Sequence, residues 1–339
     1  MIEKQNYSLL KHNSFGIDVK ANHFMEYENE DELLLFLQQG KLKRPFLHIG
    51  EGSNLLFLHD YEGLILHSAI KGVKVIEESK DQIVVQVGAG ENWDDFVSYC
   101  VDNEWYGVEN LSLIPGEVGA AAVQNIGAYG VELKDWVHSI ETIDTEGNFV
   151  VYSVSDCKYA YRHSIFKKAE NKNVFITRVN LCLGKNKNFH LDYGSIRKEL
   201  DEDKNITLKR VRDIIIRIRE EKLPNPEDIG NGGSFFMNPI VTSDFFHKLQ
   251  DEYPELPFYK LANNRYKIPA AWLIDQCGWK GKKVGNVGVY PKQALVLVNY
   301  GGATGKEVYL LAKSIQKSVN DKFGIQLYPE VNYIGNYTA

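Results

Sequence analysis

The sequence predicts an α+β protein of two or three domains, on three observations. Its 339 residues exceed what one typical hydrophobic core organises. The stretch from Gly72 to about Leu183 is dominated by short strands, and one clear helix interrupts it. The strands do not alternate with helices as a doubly wound sheet requires.

Each element has a local reason. Asp31 to Gln39 reads as a short helix closed by Gly40, a residue suited to the left-handed position after a helix. Phe46 to Ile49 and Leu55 to Leu58 read as strands around a GEGSN turn. In the middle region, Gln82 to Val87, His138 to Asp144, Phe149 to Val154 and Val174 to Leu183 alternate or carry β-branched residues. The turn Asp144-Thr145-Glu146-Gly147-Asn148 makes the second and third of these a hairpin. The helix Asn92 to Glu104 places Trp93, Phe96, Val97, Cys100 and Val101 on one face. Past Lys222 the composition shifts to KLPNPEDIGNGGS, a linker or an active-site loop. A last amphipathic helix, about Lys306 to Phe323, ends at Gly324.

Composition excludes several function classes. A net charge of −6 argues against a nucleic-acid polyanion as partner. The basic cluster Lys209, Arg210, Arg212, Arg217 and Arg219 lies on a helix with the apolar stripe Leu208, Val211, Ile215 and Ile218, so it reads as a solvated face. Cys100, Cys157, Cys182 and Cys277 are widely spaced, with no CxxC, and read as reduced thiols. The nine histidines follow no metal-binding pattern, so no metal is expected. Neither a signal-like apolar segment at the N-terminus nor a membrane-spanning stretch is present, and a cytoplasmic protein is expected.

Two Gly-rich loops carry the chemistry. Between Pro115 and Gly130 the chain reads PGEVGAAAVQNIGAYG, without Lys, Arg or His, so an anion held there would be held by main-chain N–H groups. Taken alone, this run reads equally well as a tightly packed helix start. The second loop, Gly50-Glu51-Gly52-Ser53-Asn54, lacks the third glycine of a Rossmann fingerprint and is not followed by a long helix. Two such loops suit one extended dinucleotide pinned at both ends.

The motifs GEGSNLLF, PGEVGAAAVQNIGAYG, YRHSIFK, GNGGSFFMNP, AAWLIDQCGWKG, QALVLVN and PEVNYIG follow one another along the chain. With them the whole chain resembles the UDP-N-acetylenolpyruvoylglucosamine reductases, flavoenzymes that complete UDP-N-acetylmuramate in bacterial cell-wall synthesis. The resemblance implies three domains, a two-domain FAD-binding cradle plus an α+β substrate-binding domain: residues 1–69 with 324–339, residues 70–219, and residues 220–323. It implies that Ile325 to Ala339 return beside residues before Ala69. Bound FAD, NADPH as hydride-donating co-substrate, a UDP-sugar enolpyruvyl ether as substrate and a monomeric state come with it. Gly50, Glu51, Gly52, Ser53, Asn54, Pro115, Gly116, Gly119, Asn125 and Gly127 would line the FAD cleft.

Reducing an enolpyruvyl ether adds hydride to the terminal alkene carbon and a proton to the carbon bearing the ether and carboxylate, with charge spreading into the carboxylate between the two events. The resemblance assigns Arg162 to that carboxylate, a role suited to a guanidinium fork. Glu330 is assigned to holding the enolate, through its own proton or through Arg162 or water. Ser234 is assigned as proton donor, a task that demands a very basic intermediate and direct contact. Without the resemblance these three read as a surface ion-pair partner, a solvated acid and a turn serine. Substrate binding carries over to Tyr193, Lys222, Asn238 and Gln293, with Tyr193 on a loop that folds over the diphosphate in one subfamily. Met237 and Tyr290 stand where many relatives have lysine and histidine, which bears on substrate affinity or pH optimum. Two other classes remain open at this level: a flavin oxidase on the same cradle, and a nucleotide-sugar binding protein without catalysis.

Overall fold

The computed structural model describes residues 1–168, 171–192, 196–200 and 206–335. The chain divides into two compact units: residues 1–7, 21–51 and 62–219 form the first, and residues 8–20, 52–61 and 220–339 the second.

In the first unit, a mixed sheet contains Lys20–Tyr27 paired to Tyr61–Ser68, with Phe46–Ile49 added in parallel on the far side. The helix Glu30–Gln38 packs on it; Asn29 caps the helix by accepting from the Glu32 amide, and Gly40 follows in the left-handed region. A five-stranded antiparallel sheet carries Phe149–Ser153, Val137–Asp144, Val174–Gly184, Gln82–Gly88 and Val73–Glu78 in that order. Its hairpin turns where the sequence places it, with the Asp144 carboxylate accepting from the amides of Glu146 and Asn148. The helix Trp93–Asp102 buries the five residues of its apolar stripe and is capped by Asn92.

Leu33, Phe36, Leu64 and Leu66 share one core with Ile143 and Phe175 of the five-stranded sheet, so burial of a common apolar surface joins residues 21–51 and 62–219.

The second unit is built on an antiparallel sheet containing Gly230–Ser234, Val296–Asn299 and Val287–Val289, covered by the helix Gly305–Phe323. Thr304 and Glu307 form a capping box at the start of that helix, and Gly324 ends it at φ +64°. Val308, Leu311, Ile315 and Val319 face the core. The strand Asn332–Ile334 pairs in parallel with Leu55–Phe57, so the C-terminal segment meets residues ahead of Ala69.

Among the described residues no helix is long and apolar enough to cross a membrane, and no group of three or more His, Cys, Asp or Glu could hold a metal ion. All four cysteines are free; Cys100 and Cys157 are buried.

Candidate active site

In the second unit the chain brings Ser234 and Glu330 onto adjoining backbone. Segment 234–237 is zipped on both sides: the Phe235 amide donates to Leu295 O at 2.8 Å, and the Glu330 amide donates to Phe235 O at 2.8 Å. The Met237 amide continues the ladder to Tyr328 O at 2.9 Å. Asn54, at the end of the first Gly-rich loop, donates through Nδ2 to Glu330 O at 3.1 Å, while its own carbonyl accepts from the Asn332 amide at 3.0 Å. The main chain on both sides of Glu330 is thus fixed, and Ser234 stands exposed one residue from the strand partner of Glu330.

How Ser234 is presented follows from a residue not singled out in the sequence. Asn231 is 2% exposed. Its Oδ1 accepts from the Gly233 amide at 2.9 Å, and its Nδ2 donates to Ile229 O at 2.9 Å and Pro224 O at 3.3 Å. That bracket bends the strand, whose pairing register shifts between Asn231 and Ser234, and Gly233 takes φ +65° to complete the bend. Gly232 lies flat on the Phe15 ring, where a Cβ would come within 2.6 Å of Cε2.

The remaining second-unit candidates sit at turns. Gly52 adopts φ +73°, and a Cβ there would lie 1.9 Å from His12 O, so only glycine closes this turn. Ser53 accepts at its carbonyl from Ser14 Oγ at 3.1 Å. Asn238 Oδ1 accepts from the Ala270 amide at 2.9 Å, at the start of the helix Ala270–Gln276. Gln293 Oε1 accepts from the amide of Leu295, the residue that pairs with Phe235, at 3.3 Å. Lys222 is exposed at the end of the helix Leu208–Lys222. Tyr193 lies outside the described residues.

In the first unit the second Gly-rich loop spends two of its amides within the protein. The amides of Val118 and Gly119, at the start of the helix Val118–Gln124, donate to Glu91 O and Ala89 O at 2.9 and 2.8 Å. A Cβ on Gly119 would lie 2.8 Å from that of Ala89, so this glycine permits close helix packing. Gly116 takes φ +118°, directly after Pro115, and its carbonyl accepts from the Trp93 amide at 2.9 Å. Gly50 faces the same loop: a Cβ there would sit 2.8 Å from Glu117 Oε2 and 3.1 Å from Ala120 Cβ. Glu51 accepts from Asn92 Nδ2 at 3.2 Å.

Asn125 is fully buried in the left-handed region at φ +48°. Its Nδ2 donates to Ala160 O at 2.9 Å, and its Oδ1 accepts from the Lys134 amide at 3.0 Å, tying the loop to the turn that carries Arg162. Ala160 and His163 exchange both backbone hydrogen bonds, leaving Tyr161 and Arg162 at the tip. Arg162 is held at φ +54°, a conformation non-glycine residues adopt at a cost of roughly 1 kcal/mol. Its Nη2 donates to Gly127 O at 2.7 Å, and a Cβ on Gly127 would come within 2.9 Å of Nη1. Gly127 therefore makes room for the guanidinium.

The basic cluster on the helix Leu208–Lys222 is not wholly a solvated face. Arg212 makes a bidentate pair with Asp94 at 2.7 and 2.9 Å, its side chain 12% exposed. Arg219 is enclosed, and its Nε has no acceptor among the described residues. Burial pushes its guanidinium below the ordinary arginine value, against the pull of Tyr129 and Asp94. The stripe Leu208, Val211, Ile214, Ile215 and Ile218 is wide enough to carry flanking arginines inside with it.

Residues 21–153 match the family described as FAD binding domain, and residues 225–334 match the C-terminal domain of UDP-N-acetylenolpyruvoylglucosamine reductase. The chain is 60% identical over 331 residues to the UDP-N-acetylenolpyruvoylglucosamine reductase of Bacteroides fragilis, covering 98% of this chain and all of that one. It is 48% identical to the reductase of the same name from Porphyromonas gingivalis, covering 98% and 99%. The crystal structure of UDP-N-acetylenolpyruvylglucosamine reductase from Thermus caldophilus shares the fold, with a TM-score of 0.68 at 21% identity and 98% coverage of both chains.

The residues of the first unit fit FAD. Arg219, whose buried Nε lacks a protein acceptor, lies beside Tyr129 of the second Gly-rich loop and suits an anionic or carbonyl-bearing group. Two family models, over residues 21–153 and 225–334, and full-length identity at this level place the chain in one family: it belongs to the UDP-N-acetylenolpyruvoylglucosamine reductases.

Proposed function

We propose that this chain reduces the enolpyruvyl double bond of UDP-N-acetylglucosamine enolpyruvate to give UDP-N-acetylmuramate for peptidoglycan, with NADPH as electron donor. Bound FAD supplies the hydride that adds to the terminal alkene carbon. The protein's task is then to hold the charge that develops on the substrate carboxylate and to deliver one proton to the adjacent carbon.

Ser234 delivers that proton from its hydroxyl. Arg162 pairs with the carboxylate as it gains charge, with Gly127 leaving space for its fork. Glu330 shares the enolate with Arg162. Lys222 and Tyr193 take the diphosphate, and Asn238 and Gln293 complete the substrate contacts. Gly50 to Asn54, with Pro115, Gly116, Gly119, Asn125 and Gly127, contribute to the FAD cradle. The enzyme works as a monomer in the cytoplasm.

The observation that carries the reading is the backbone ladder joining Phe235 to Glu330. It supports Ser234 and Glu330 acting on one substrate rather than as two unrelated surface groups, because their strands are hydrogen-bonded to each other.

Anaerobic mixing separates the two half-reactions. Ser234→Ala is expected to keep rapid bleaching of the flavin band by NADPH and to slow its return with the enolpyruvyl substrate by about 10² to 10⁴, as loss of a positioned acid does. Equal slowing of both phases refutes the assignment. Flavin reoxidised by dioxygen in preference to the enolpyruvyl substrate would point to an oxidase.

A further inference from the structure

One buried cluster of the first unit has no part in the chemistry above. His67, on the strand Tyr61–Ser68, is 8% exposed and has a carboxylate at each ring nitrogen. Nδ1 lies 2.7 Å from Glu26 Oε2, and Nε2 lies 2.9 and 3.1 Å from Glu117 Oε1 and Oε2. A neutral imidazole has a single N–H, so two ionised carboxylates are satisfied together only by the imidazolium.

Glu117 lies inside the second Gly-rich loop, 6% exposed, and its Oε2 presses against Gly50 of the first, at 2.8 Å from where a Cβ would stand. We propose that His67 is a positioning residue: as a cation clamped between Glu26 and Glu117, it fixes the spacing of the Gly50–Glu51 backbone and the Pro115–Gly127 loop, and thereby the affinity for FAD. The proposal rests on the reading of these loops as the FAD cradle.

The surrounding charges support a protonated clamp. Burial opposes the charge on His67, but Glu117 and then Glu26 outweigh it and hold the imidazole above its ordinary value. Burial likewise pushes the Glu117 carboxyl up; His67 and Lys71 pull it down and Glu51 adds to the rise. The facing His48 ring, hydrogen-bonded to Tyr27 Oη at 2.9 Å, is held neutral by burial and by the His67 charge. The proton that matters in this cluster is therefore shared by His67 and Glu117. Losing it at high pH sets the imidazole lone pair against a carboxylate, and Glu117 is released from its place on Gly50.

The test is an FAD titration of the full chain, stripped of flavin, from about pH 6 to pH 9 with quenching of flavin fluorescence as the signal. Wild-type affinity should be level at the acid end and weaken as pH rises through the raised value of His67. His67→Gln should weaken binding at the acid end on the order of tenfold, the loss expected of a charge-assisted hydrogen bond, and abolish the alkaline fall. The partly exposed Glu26→Gln should fold normally and move the alkaline fall to lower pH, because it removes one carboxylate that favours the imidazolium; Glu117→Gln, whose amide can donate to the neutral ring, should fold normally and abolish the fall. His67→Gln with the wild-type affinity curve, whatever its melting temperature, overturns the clamp, and so does an alkaline fall unmoved in Glu117→Gln. A wild-type chain that takes up no FAD at any pH refutes the cradle itself, which is a different failure.

Discussion

Replacing Asn231 by alanine should disable proton delivery without touching the proton donor. The side chain makes hydrogen bonds of 2.9 Å to the Gly233 amide and to Ile229 O, and one of 3.3 Å to Pro224 O. At about 1 kcal/mol net for each short bond, plus the penalty for leaving an enclosed N–H and C=O unpaired, the loss comes to about 2–4 kcal/mol. That energy is local, because the three partners lie within residues 224–233 and the flanking ladder from Phe235 to Leu295 is left intact. Amide exchange in peptides covering 224–237 should therefore accelerate by about 30-fold to 900-fold, at 1.36 kcal/mol per factor of ten. With the bend loosened, Ser234 should spend less time facing the substrate carbon. Flavin reoxidation by the enolpyruvyl substrate should slow by at least about tenfold, while reduction by NADPH stays unchanged. Asn231→Asp keeps the acceptor for Gly233 but sets a buried carboxylate oxygen against Ile229 O and Pro224 O, and should be at least as damaging. Unchanged exchange and unchanged reoxidation in Asn231→Ala would refute the claim that this side chain shapes the site.

Three further predictions concern stability, each read by chemical denaturation. Burial alone would raise the Asp94 carboxyl, but Arg212 and the Leu113 amide outweigh it and hold it below the usual range. The pair therefore contributes fully above about pH 4 and is lost as pH falls through the lowered value; Arg212→Met should cost about 2–3 kcal/mol at neutral pH, with the difference from wild type shrinking in acid. His48 is held down to about 3, chiefly by burial and then by the charge on His67. The unfolded chain takes up this proton below about pH 6.5 and the folded chain does not, so stability should fall with acid by at most about 1.4 kcal/mol per pH unit, and His48→Asn should flatten that slope. Gly52 and Gly233 have similar positive φ values but opposite surroundings, His12 O at 1.9 Å from a Cβ against nothing within 4 Å. Gly233→Ala should cost about 1–2 kcal/mol, the ordinary left-handed penalty, and Gly52→Ala distinctly more; equal losses would show that crowding at His12 does not matter.

What could be read from the sequence was local or came from ordered motifs, and what could not was set by partners far along the chain. The Asp144 hairpin turn and the left-handed Gly324 follow from residues a few positions apart, so pattern and turn chemistry find them. Ser234 and Glu330 are 96 positions apart, and nothing in either neighbourhood announces that Phe235 and Glu330 share a hydrogen bond. Only the order of motifs nominated them. Asn231 stood inside a recognised motif yet was passed over, because its value lies in enclosing three main-chain groups and a polar residue before Gly-Gly looks like any turn. Arg212 and Arg219 misled in the opposite direction. Helical periodicity marks the centre of an apolar stripe and is silent about its flanks, where a packed helix of 15 residues still buries side chains. A signal existed for Arg212, since Asp94 and Asp95 open the facing helix and a buried carboxylate needs a cation. None existed for Arg219, whose Nε finds no acceptor within the described protein. A buried donor atom without a protein acceptor is information that only three dimensions supply, and here it suits a bound group.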